Sequence, residues 1–258
     1  MGILNITPDS FSDGSQYNNV ELAYQRARQM QRAGVDIIDI GGESTRPGAA
    51  EISAEDEIER VVPVIQKVKS LQIPISIDTS KAKVMQAAIE AGAVMINDVR
   101  ALQEDNTLQM AVKLQVPVCL MHMQGQPRNM QKTPDYQNVV EEVIGFLHQR
   151  VKACENAGLD KSMICLDPGF GFGKDLQHNL ELLDQLDRIV ELGLPVLAGL
   201  SRKFMLGQIT GQSIEQRLPA SLAVAQIAMQ KGARIIRVHD VAETIDVRQV
   251  FMAMEELE

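Results

Sequence analysis

The chain has 258 residues, 45% of them apolar, and a formal net charge of −9. That length holds one large α/β domain or two small ones. A negative balance argues against nucleic acid or an anionic membrane as partner, and no apolar run approaches the ~18–20 residues that a bilayer span needs.

In chain order, eight short apolar runs alternate with eight amphipathic segments. The strand candidates are 2–6, 35–40, 73–77, 94–97, 116–121, 163–166, 195–200 and 235–238. They are mostly β-branched or Leu/Met and lack strict polar alternation, as expected of parallel strands covered on both faces. Between them apolar residues recur at helical spacing, as in Ile58/Val61/Val62/Ile65/Val68, Leu183/Leu186/Ile189/Val190 and Val250/Phe251/Met254. Ser53 followed by Asp56 has the form of a capping box. This alternation predicts a single (β/α)8 TIM barrel over residues 1–258. A doubly wound open sheet is the alternative, but no G-x-G-x-x-G follows the first strand. The first residues enter a strand-like pattern directly, so no signal peptide is expected. Cys119, Cys154 and Cys165 lack C-x-x-C spacing, which suits reduced core thiols of a cytoplasmic protein.

Barrel enzymes take their chemistry from the carboxyl ends of the strands. Here nearly every apolar run ends in a polar residue: Asn5, Asp78, Asn97, His122, Asp167, Ser201-Arg202-Lys203, and Arg237 with His239. Strand ends attract polar residues by ordinary turn chemistry; the informative point is that all of these fall on one predicted face. Asp78, Asn97 and Asp167 supply acceptors for a flat heterocycle rich in N–H groups, with Lys203 for its carbonyl or ring nitrogen. Arg46, Arg237, His239 and Asn5 form a cationic and amide set suited to a phosphate or pyrophosphate, helped by a hard cation such as Mg²⁺. The loop from Asp167 to Lys174 has three glycines and a proline, with Phe170 and Phe172 as flat faces over the ligand. His122 is read as a buried, satisfied histidine. No His/Cys cluster for zinc and no P-loop is present.

Five stretches taken together carry a family resemblance: Asn5–Gly14, Gly41–Gly48, Asp167–Gly173, Ser201–Lys203 and Ile236–His239. In this order they resemble the bacterial dihydropteroate synthases, from Met1 to the last helix. The resemblance implies a (β/α)8 barrel that joins 6-hydroxymethyl-7,8-dihydropterin pyrophosphate to para-aminobenzoate by a dissociative route. It implies pterin contacts at Asp78, Asn97, Met121, Asp167 and Lys203, and pyrophosphate contacts at Arg46, Arg237 and His239. Asn5 would belong to an Mg²⁺ site, and Thr45, Pro47, Phe172 and Lys203 to the aminobenzoate site. Asp78, Lys203 and Arg237 would carry the catalysis, in a homodimer. Family members usually have a hairpin ahead of the first strand, where this sequence begins Met1-Gly-Ile-Leu, a difference expected to bear on stability. Phe204 stands where some members have a small hydroxyl residue. A corrinoid-dependent methyltransferase, a non-catalytic pterin-binding subunit and a phosphosugar barrel enzyme are the competing readings. The Thr45-Arg46-Pro47 loop together with Arg237 and His239 disfavours the first, and the acceptor set for a planar base disfavours the last.

Overall fold

The structure is a computed structural model that describes residues 1–6, 16–44, 51–125 and 134–256. The first half of the chain alternates strand and helix without exception. It runs β1 (Gly2–Asn5), α1 (Gln16–Arg32), β2 (Ile38–Gly41), α2 (Ala54–Val68), β3 (Ile75–Asp78), α3 (Ala82–Ala91), β4 (Met95–Asp98), α4 (Thr107–Leu114), β5 (Val118–Met121) and α5 (Val139–Ala157). The second half continues with β6 (Ile164–Asp167), α6 (Leu176–Asp184), α7 (Leu186–Val190), β7 (Leu197–Ala198), α8 (Phe204–Thr210), α9 (Leu218–Gln230), β8 (Ile235–Ile236) and α10 (Val241–Glu255).

Strands β1 to β6 pair in parallel in sequence order, and β7 pairs with β8. Two isolated bridges close the circle: Leu166 with Val196, and Gly2 with Val238. Backbone bonds Ile3 N–H to Val238 O and Val238 N–H to Met1 O, each 2.9 Å, seal the second seam. The result is the expected (β/α)8 barrel. Strand positions alternate between the helices and the barrel interior. Ile38, Ile40, Ile75, Ile77, Ile96, Val118, Leu120, Ile164 and Leu166 pack into the large core cluster with Val61, Ile65, Val68, Leu147 and Leu182 of the helices. Met1, Met95, Cys119, Cys165 and Leu197 form a separate small cluster that floors the interior.

Several local expectations need correction. The 183–190 seam is not one helix: the backbone breaks at Gln185, between α6 and α7. The seam on α10 is not core, because Val250, Met252 and Met254 are exposed and only Val241 and Thr244 of that helix are buried. Ser53 does cap α2, accepting from Asp56 N–H at 3.0 Å, but the Asp56 carboxylate takes the Ser53 hydroxyl rather than its backbone. A reciprocal capping box occurs at Asp175 and His178 instead. All three cysteines are buried free thiols.

Candidate active site

β1 and β3 to β6 each end within a residue of a polar group, so the barrel turns a ring of side chains toward one mouth. Asp78 and Asn97 are register partners on β3 and β4, and Met121 and Asp167 are partners on β5 and β6. The centre of the ring is Arg237, just past β8. Its Nε donates to Asp39 Oδ2 at 2.6 Å and its Nη2 to Asp78 Oδ2 at 2.7 Å. Asn97 Nδ2 donates to the same Asp39 oxygen at 3.0 Å, so its Oδ1 is the end suited to accept from a ligand. Asp39 was not anticipated from sequence. It lies inside an apolar strand run, is 0% exposed, and its Oδ1 has no partner among the described residues.

Two buried carboxylates share one guanidinium, and the balance between them is uneven. Burial raises the Asp78 carboxyl to about 7, against the pull of Arg237 and with a push from Asp39. The neighbouring acids hold Arg237 firmly protonated. Arg237 therefore enters any anion site already bound to two acids. His239 departs further from expectation. Burial first, then the Arg237 charge, lowers its imidazole to about 4, so it is neutral at pH 7. Its Nδ1 meets the Ser201 hydroxyl at 3.0 Å. The cationic set thus loses one member at pH 7.

On the opposite side Asp167 Oδ1 accepts from Gly169 N–H at 2.7 Å, which leaves Oδ2 as the acceptor toward the mouth. Burial raises its pKa, while Gly169, Lys203 and Arg237 oppose the shift. The loop behind it depends on glycine. Gly169 has φ +70°, and a Cβ there would stand 1.8 Å from the His122 carbonyl oxygen; at Gly173, with φ +61°, the clash is 2.3 Å to Gln124 O. The Phe170 ring is buried in the core, whereas Phe172 is half-buried beside Lys203. Lys203 Nζ lies 4.2 Å from the Phe172 ring centroid, a cation–π contact, and burial lowers its ammonium to about 8. Met121 is buried beside Gly169. Asn5, at the end of β1, lies beside Asp78 across Gly41: a Cβ there would be 3.4 Å from Asn5 Oδ1 and 3.5 Å from the Asp78 Cβ.

His122 is buried and neutral, lowered to about 2 by burial and by the Lys174 charge. Lys174 itself was quoted in the loop motif but given no role, and it proves to be buried against His122. Thr45, Arg46 and Pro47 lie outside the described residues, as do 7–14 of the first glycine-bearing loop. Among the described residues no three His, Cys, Asp or Glu side chains group as a metal site.

Fold and site together define a (β/α)8 barrel with buried carboxylates, Arg237 and Lys203 gathered at one mouth, the arrangement of a barrel enzyme. The pterin binding enzyme family model matches residues 1–239. A dihydropteroate synthase of Haemophilus influenzae is 53% identical over 98% of this chain and 92% of its own length. The Yersinia pestis dihydropteroate synthase, solved with a sulfonamide drug complex, superposes with a TM-score of 0.95 at 49% identity, covering 99% of this chain and 94% of that one. The Xanthomonas albilineans dihydropteroate synthase, solved with 7,8-dihydropteroate, gives 0.90 at 46% identity over 99% and 92%. The chain belongs to the pterin-binding enzymes and, within them, to the dihydropteroate synthase family of transferases.

Proposed function

We propose that this chain joins 6-hydroxymethyl-7,8-dihydropterin pyrophosphate to para-aminobenzoate, giving 7,8-dihydropteroate and pyrophosphate. The observation that carries the reading is the Asp39–Arg237–Asp78 ion-pair group with Asn97, facing Asp167 and Lys203 across one barrel mouth. The Xanthomonas albilineans relative was solved with 7,8-dihydropteroate, the product of this reaction.

Asp167 Oδ2, Asn97 Oδ1 and Asp78 accept from the pterin N–H edge, and Lys203 donates to its carbonyl. Arg237, joined by Arg46, takes the pyrophosphate, and the arriving negative charge raises His239 toward protonation. Asn5 would hold Mg²⁺ through Oδ1, and the donor set fits: one neutral protein oxygen, with the rest from phosphate oxygens and water. When bound, the ion neutralises charge on the leaving group. The methylene C–O bond breaks with its electron pair going to pyrophosphate oxygen. The carboxylates beside the pterin offset the positive charge left on the ring. The aniline lone pair then forms the C–N bond and the nitrogen gives up a proton to solvent. An aniline is already a neutral nucleophile, so no strong base is required. Phe172, Lys203, Thr45 and Pro47 form the aminobenzoate side.

The chain acts as one barrel domain and as a homodimer, with α9 and α10 as the contact face. Val250 and Met254, one turn apart on α10, are exposed, as is Ile227 of the neighbouring α9, and a second copy would cover these apolar groups. Among the described residues no helix is long and apolar enough to cross a membrane. The buried thiols suit the cytoplasm. The test is pyrophosphate release with and without para-aminobenzoate. Release that ignores the amine overturns the reading.

A further inference from the structure

We propose that Lys174 is a positioning residue for the second substrate: its ammonium holds the 169–172 turn closed, and so fixes the Phe172 ring against Lys203. The inference rests on the functional reading above and adds a residue that contacts no substrate.

A lysine is costly to bury, and Lys174 is only 2% exposed. Its Nζ reaches three acceptors: Gly169 O at 2.9 Å, Phe172 O at 3.1 Å and His122 Nδ1 at 2.9 Å. Burial lowers the Lys174 ammonium to about 7 against the pull of the Asp167 charge; in its protonated form the three N–H donors meet all three acceptors. Two of the acceptors are carbonyls at opposite ends of one turn. That turn is also closed by Phe172 N–H to Gly169 O at 3.1 Å. The third acceptor ties it to the segment after β5, where His122 N–H bonds to Asp167 O at 2.9 Å and the His122 ring meets Phe146 edge-on at 5.0 Å. Lys174 therefore joins the ends of β5 and β6 beneath the Phe172 ring. Without the ammonium, Gly169 O keeps only the Phe172 N–H, and the part-buried Phe172 O loses the donor that ties it to the turn. The turn has to open, and the ring moves off Lys203.

The test is Lys174→Met, which keeps the apolar stem and removes the donors. We expect KM for para-aminobenzoate to rise about tenfold or more, with kcat at saturation and affinity for a pterin analogue within about threefold of wild type. Amide exchange should quicken over 169–173 and not in the helices. Because the role runs through the ring, Phe172→Leu should raise KM in the same way, and the double variant should be no worse than the worse single. Additive losses, or equal losses in kcat and pterin affinity, would mean a general structural role and overturn the proposal, as would an unchanged KM. If Lys174→Met does not fold, His122→Asn removes one acceptor only and should give a smaller rise in the same KM; no rise overturns it. Should the wild-type chain itself release no pyrophosphate, the functional reading falls while exchange still decides the turn. Local quickening upholds the holding role, and its absence removes it.

Discussion

Arg237 and Asp39 meet at 2.6 Å beneath the barrel mouth, although 198 positions separate them in the chain. The pair joins β2 to the end of β8 across the site. Asp39→Asn keeps the shape, removes the charge, and places an amide where a carboxylate faced both Arg237 and Asn97. The expected loss is about 1–3 kcal/mol of stability, since Asp78 still holds the guanidinium. Urea unfolding measures it. The same change should let Asp78 ionise more easily, because Asp39 is one of the charges raising it. Unchanged stability would mean that the ion pair contributes nothing net.

Lys203 should set the alkaline limit of the reaction. Its ammonium is lowered to about 8 by burial, so the free enzyme loses that cation above pH 8. For stability the sign is the reverse of a usual ion pair. Between about 8 and the unfolded value near 10.5 the unfolded chain holds the extra proton, so this group's contribution weakens as pH falls through that window. The profile of kcat/KM for para-aminobenzoate should bend down near pH 8, and Lys203→Arg should move that bend beyond pH 10. A bend that stays at 8 in the arginine variant assigns it to another group.

His239 makes an acid-side prediction. With the folded value depressed to about 4 and the unfolded one near 6.5, its neutral burial favours folding above pH 6.5. That favour is lost as pH falls from 6.5 to 4. Pyrophosphate binding should reverse the depression and draw a proton onto the ring. Calorimetry near pH 6 in two buffers of different ionisation enthalpy should find more proton uptake for wild type than for His239→Gln. Equal uptake would take His239 out of the anion site.

Two glycines separate strain from clash. Gly169→Ala adds a Cβ 1.8 Å from the His122 carbonyl at φ +70°, whereas Gly193→Ala, at φ +77°, meets nothing within 4 Å. The second should cost about 1–2 kcal/mol from conformation alone. The first should cost at least about 2 kcal/mol more, because backbone has to move. Denaturant titration of both compares them directly, and similar losses would show that the loop after Asp167 yields easily.

Much of this was legible because apolar runs stop abruptly at strand ends: Asn97 and Asp167 each follow four apolar positions, and Asp78 ends the Ile75-Ser76-Ile77 run. Asp39 was hidden by the reverse situation, a carboxylate with isoleucines on both sides in a run that reads as pure core. Phe170 and Phe172 share one motif, and only folding determines that the first ring enters the core while the second meets Lys203. The split at Gln185 was also illegible, since apolar spacing persists through it. The α10 seam was misleading because spacing reports an apolar face without reporting what covers it.

The two strands that carry Ser201, Lys203, Arg237 and His239 are each two residues long, and single bridges attach them to the six-strand sheet on either side. Half of the charged mouth thus stands just past two short strands that meet the wider sheet along two seams, facing the carboxylates on that sheet. The gap between the two is set by what fills the barrel below, where Leu197 and Ile235 lie against Cys119 and Cys165. Side-chain volume on that floor works as a spacer for the site above. Enlarging or trimming it would retune substrate affinity from a distance without touching a ligand-facing residue.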